Sequence, residues 1–150
     1  MRKISKILLP VDFSDGSNRA SEYAVTLCRA LGAQLELYHV VEAGHFVMYG
    51  NEAFWPSQAT VQEIESSARK QMETFAKKLD PEISMASRIE TTPAPAADQI
   101  CQYAKKQNAD LIVMSTHGRS GLDRVLLGSV TDRVVRTAPC PVFVVRHAAT

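Results

Sequence analysis

The sequence predicts an α/β domain built on a mainly parallel sheet with helices on both faces. Two observations carry that expectation. Short continuous apolar runs, the mark of strands buried on both faces, alternate with segments of helical periodicity, and that alternation favours parallel pairing with crossover helices. The chain has 150 residues, enough for one domain with one sizeable core, so residues 1–150 are read as a single domain.

Taken in order, Ile7-Leu8-Leu9-Pro10-Val11 reads as the first buried strand. Residues 17–31 then place Ala20, Tyr23, Ala24, Leu27, Ala30 and Leu31 at helical spacing, with Gly32 as the stop. Residues 35–41 form a second strand. Residues 43–56 read as a loop-like insertion carrying His45, Phe46, Tyr49, Phe54 and Trp55, its aromatic group folded onto the domain's own core, with a lid over the site or a patch for a partner as the alternatives. Thr60-Val61-Gln62-Glu63 has capping-box spacing and opens a long helix to about Leu79. Residues 83–91 make a more polar strand with Ile83, Met85 and Ile89 on one face. A helix over about 97–107, a buried strand Leu111-Ile112-Val113-Met114, a helix over about 129–137 and a fifth strand over 141–145 complete the chain.

Composition narrows the function classes. Seventeen basic and sixteen acidic side chains give a net charge of +1, which leaves no footprint for nucleic acid or an anionic membrane. No apolar run reaches the ~20 residues of a membrane span, and the run 7–11 is too short for a signal peptide. Cys28, Cys101 and Cys140 form no CxxC pair and are odd in number. Reduced thiols in a cytoplasmic protein fit them best. His39, His45, His117 and His147 lack metal-ligand spacing.

In open parallel sheets ligands sit beyond the carboxyl ends of the strands, where the winding reverses. That rule points to residues 10–14, 39–42 and 115–129. The last segment contains Ser115-Thr116-His117-Gly118-Arg119-Ser120-Gly121 and reaches Gly128-Ser129 at a helix start. Glycines permit close backbone approach, and a helix start directs N–H groups at an anion. Ser129 is expected to cap that helix, with Asp132 three residues on; Arg119 and Arg124 add charge. The loop is neither a Walker A sequence nor GxGxxG. The bland alternative is that Gly118 and Gly121 merely shape a turn. Asp12 likewise competes with Ser14, Asp15 and Ser17 as a simple helix cap, and His117 is read as a locally bonded loop residue, a catalytic base near Asp12 or Ser115 being the alternative.

Several segments resemble universal stress proteins: residues 6–14, Tyr38-His39-Val40-Val41, residues 109–119, Leu126-Leu127-Gly128-Ser129-Val130-Thr131 and residues 139–145. The likeness runs from Lys3 to Arg146. The nucleotide-binding branch carries a motif of G, two residues, G, nine residues, then G with S or T. Gly118, the nine residues 119–127 and Gly128-Ser129 fit it, whereas Ser115 stands where the motif has its first glycine. The resemblance implies five parallel strands in the order 3-2-1-4-5. It implies that Asp12 and the Val40 backbone hold adenine and ribose, that Pro10 and Val11 shape that wall, and that Met114 and Ser115 line the ribose side. Gly118, Arg119, Gly128, Ser129 and Val130 would cradle phosphates. The implied ligand is ATP, or ADP or AMP, with magnesium accompanying the phosphates. The implied assembly is a homodimer, here expected through the charge-free edge strand Val142–Val145. The expected role is an ATP-binding regulator of the stress response rather than an enzyme; a nucleotide-free dimeric adaptor and a slow ATPase are the alternatives.

Overall fold

A computed structural model describes residues 3–42, 47–49, 52–54, 56–116 and 127–146. The elements are β1 (Lys6–Pro10), α1 (Asp15–Leu31), β2 (Gln34–Glu42), β3 (Val47–Tyr49), β4 (Glu52–Phe54), α2 (Gln58–Lys77), β5 (Met85–Thr92), α3 (Ala96–Lys106), β6 (Leu111–Ser115), α4 (Ser129–Thr137) and β7 (Val142–Val145). Five of the strands make one parallel sheet in the order β5-β2-β1-β6-β7. Counting the sheet's strands along the chain, this is 3-2-1-4-5, with the winding reversing between β1 and β6.

Alternation along β1 builds a core on each face. Ile7 and Leu9 point to the α1 and α2 side, where they meet Ala20, Ala24, Cys28, Met72 and Phe75. Leu8 points the other way, to Tyr38, Ile100, Ala104, Ile112 and Val134 under α3 and α4. A strand covered on both faces must be apolar at every position, which is why β1 and β6 read as unbroken runs. Burial pushes the Cys28 thiol up to about 11. The second core contains a polar knot. Tyr38 and Tyr103 stack with centroids 4.0 Å apart; Tyr38 donates to Glu90 at 3.0 Å and Tyr103 donates to Glu36. Burial and these carboxylates hold both phenols above their usual range.

The structure corrects the sequence reading in four places. Helix α2 is capped by Ser57, whose Oγ accepts from the Thr60 N–H at 3.1 Å, so Thr60 does not open a capping box. The segment read as a plain loop contains the antiparallel pair β3–β4; the side chains of Phe46, Tyr49, Phe54 and Trp55 lie outside the described residues. Helix α1 begins two residues earlier than expected, capped by Ser14. Helix α4 has Gly128 as its N-cap, without a side-chain hydrogen bond, so Ser129 is its first residue and not its cap. Gly32 ends α1 as expected, at φ 64° with its N–H on the Cys28 carbonyl.

Candidate functional site

The carboxyl ends of β1, β2 and β6 and the starts of α1, α3 and α4 surround one cavity of about 320 Å³. It sits at the reversal between β1 and β6. Nine of the residues singled out from sequence line it: Pro10, Val11, Asp12, Val40, Met114, Ser115, Gly128, Ser129 and Val130. Gly118 and Arg119, like His117, Gly121 and Arg124, lie outside the described residues. His39, from the segment 39–42 that the strand-end rule picked out, also lines it; Ser17, Tyr38, Ala96, Ile100 and Thr131, which sequence reasoning missed, complete the lining.

The Asp12 corner is tightly built. Past β1 the ladder runs one residue further, Val11 N–H to the Tyr38 carbonyl at 2.8 Å. Phe13 then takes a φ of 65°, a left-handed conformation that costs energy in a non-glycine residue. That turn brings Ser14 and Ser17 back onto Asp12. Its Oδ1 accepts from Ser14 Oγ at 2.5 Å, Ser17 Oγ at 2.6 Å and the Ser14 N–H at 3.1 Å, while the Asp12 N–H donates to Ser17 Oγ at 3.0 Å. The Phe13 ring packs on His39, centroids 4.5 Å apart. His39 is 8% exposed and donates Nδ1–H to the Val11 carbonyl at 2.6 Å, because a carbonyl can only accept. His39 is thus a satisfied rim residue. Asp12 combines both of its readings: it braces the start of α1 and it faces the cavity.

Three helix starts converge here, and they differ in charge. At α1 the Ser14 cap, the Asp12 carboxylate and Asp15 in the first turn answer the N–H groups. At α3 the Glu42 carboxylate accepts the Ala96 N–H at 2.6 Å. At α4 the N-cap is Gly128, and no side chain among the described residues accepts from the helix's first N–H groups. Asp132 in its first turn pairs with Arg136 at 3.2 Å. A helix start carries about half a positive charge, and among the described residues it lacks a bonded side-chain oxygen at α4 alone of the three.

The α4 start is also firmly mounted. The Gly128 N–H donates to the Thr116 carbonyl at 2.8 Å, and the Thr116 N–H donates to the Val145 carbonyl at 2.9 Å. Thr131 Oγ1 donates to the Ser115 carbonyl at 2.8 Å.

The Universal stress protein family pattern matches residues 3–146. The chain belongs to the universal stress protein family. Among curated relatives, Universal stress protein MJ0531 of Methanocaldococcus jannaschii is 36% identical over 143 residues, covering 94% of this chain and 81% of the relative. Among solved structures, hypothetical protein MJ0577 of the same organism superposes with a TM-score of 0.78 at 25% identity, covering 99% of this chain and all of that one. More distant structures share the fold. A universal stress protein family member from Arabidopsis thaliana with AMP bound gives a TM-score of 0.64 at 21% identity. An Archaeoglobus fulgidus universal stress protein in complex with dAMP gives 0.63 at 18%, and a universal stress protein in complex with cAMP gives 0.61 at 24%. The fold shared with these structures is the five-stranded parallel sheet described above.

Proposed function

We propose that the cavity binds an adenine nucleotide, ATP in the first instance, and that the protein is a cytoplasmic stress-response regulator working as a homodimer. One observation carries the reading: at α1 and α3 an N–H of the helix start is bonded to a side-chain oxygen, whereas at α4 no side chain among the described residues accepts from the first N–H groups. That asymmetry orients a ligand. An anionic tail is repelled by Asp12 and Glu42 and drawn to the N–H groups of Ser129 and Val130. The donor end, a sugar with hydroxyl groups, then lies by Asp12, and a flat base lies on the apolar wall of Pro10, Val40, Tyr38 and Ile100. Neighbours of this fold hold AMP, dAMP and cAMP, which are ligands of that shape.

No group of three or more His, Cys, Asp or Glu among the described residues could hold a metal. Magnesium on this reading travels with the phosphates and its own waters. No helix among the described residues is long and apolar enough to cross a membrane.

Ser129→Asp tests the reading. A carboxylate at the first position of α4 suits the helix dipole and should leave the melting temperature unchanged or slightly raised. It should also repel a phosphate, lowering ATP affinity in titration calorimetry at least tenfold. Unchanged affinity in the folded variant would place the anion elsewhere. Release of nucleotide on denaturing the purified wild type, read by mass, separates the binding reading from a nucleotide-free adaptor.

A further inference from the structure

Thr131 sits at the third position of α4 and is 4% exposed, yet its hydroxyl makes no helix cap. It crosses to the sheet and donates to the Ser115 carbonyl at 2.8 Å. One residue further, just past β6, the Thr116 carbonyl receives the Gly128 N–H, also at 2.8 Å. The first turn of α4 therefore hangs from the end of β6 and the residue after it at two points, one at its cap and one at its third residue. Two points fix a direction where one would leave a pivot.

We infer that Thr131 is the positioning residue of the anion corner: it sets where the Ser129 and Val130 N–H groups point relative to the cavity. The inference rests on the nucleotide reading above and goes beyond it, since Thr131 acts through the helix and through Ser115. Both Ser115 and Thr131 line the cavity, so a rotation of this turn moves donors and wall together. Loss of the hydroxyl frees the third residue while the Gly128 contact remains. The helix survives, but its donors swing away from the phosphate. Hydrogen bonds to charged groups are steep in geometry, so the loss falls on the charged part of the ligand.

The experiment compares Thr131→Val, which keeps the shape, and Thr131→Ser, which keeps the hydroxyl, with wild type. Affinities for ATP and adenosine are measured by calorimetry, and melting temperature is measured without ligand. Expected for Thr131→Val is an ATP affinity lowered about tenfold or more with adenosine affinity changed less than about twofold, ten being a factor of about 1.4 kcal/mol. Thr131→Ser should recover most of the ATP affinity. Equal weakening of ATP and adenosine in Thr131→Val, or no recovery in Thr131→Ser, overturns the positioning role. If Thr131→Val melts so low that binding is unreadable, Thr131→Ser alone decides: it must keep wild-type preference for ATP over adenosine. Failure of the nucleotide reading itself is distinct, because wild type would then bind neither ligand.

Discussion

At the scale of single residues, backbone conformations carry much of the design. Phe13 at φ 65° and Gly32 at φ 64° both lie in the left-handed region. Glycine adopts it without a side-chain clash, and phenylalanine does not. Phe13 is held there by its packing on His39 and Phe75 and by the hydrogen bonds that close the turn over Asp12. Gly32 has open space where a Cβ would project. Gly32→Ala is therefore expected to cost about 1 kcal/mol through conformation alone, without a clash term. Chemical denaturation would check it, and a loss above about 3 kcal/mol would mean that the surroundings do not have the room described. Gly32 was legible in the sequence because a glycine after an apolar helical stripe has few other uses. The strain at Phe13 was not, since nothing in Asp-Phe-Ser announces a positive φ.

Elements show the same division. The buried strands were readable because burial on both faces demands unbroken apolar runs. Helix starts were not, because Ser57 and Thr60 are both competent caps three residues apart, as are Gly128 and Ser129 in adjacent positions. Local composition cannot choose between them, and tertiary contacts do. The Glu42 contact to α3 joins residues 54 apart and the Thr131 contact to β6 joins residues 16 apart, so neither shows in the few residues around a helix start. The edge strands differ in a way that bears on assembly. Strand β5 carries Arg88 and Glu90, charges that discourage pairing with another sheet. Strand β7 carries none, and its Phe143 is 40% exposed beside Tyr23, ring centroids 6.0 Å apart. On the proposed two-fold pairing through β7, Val144→Lys should yield monomers in sedimentation velocity while leaving the fold intact. A dimer of unchanged strength would rule that interface out.

For the whole molecule, alkaline pH is the informative condition. The Cys28 thiol, ordinarily near 9.0, is raised to about 11 by burial, and Tyr38 and Tyr103 are raised above 10.0 by burial and their carboxylate partners. In the unfolded chain these protons leave earlier, so above pH 9 the native state binds more protons than the unfolded one. Stability from these groups is complete below pH 9 and declines as pH climbs towards 11. Tm should fall across that interval, and Cys28→Ala should flatten the slope between pH 9 and 11. An identical slope in the variant would remove Cys28 from the account. The two tyrosines should titrate in ultraviolet difference spectra only with unfolding. The fold class was readable at this scale because alternation of strand and helix leaves few architectures. The cavity was half readable: strand ends pointed to it, but the wall formed by Tyr38 and Ile100 belongs to residues that look in sequence like ordinary core.

The bond from Gly128 to Thr116 has a consequence for how such a site can diversify. It registers the start of α4 against the residue just past β6 directly through the backbone, with no side chain in between. Substitutions at either position therefore leave the link standing, except proline at 128, which has no N–H to give.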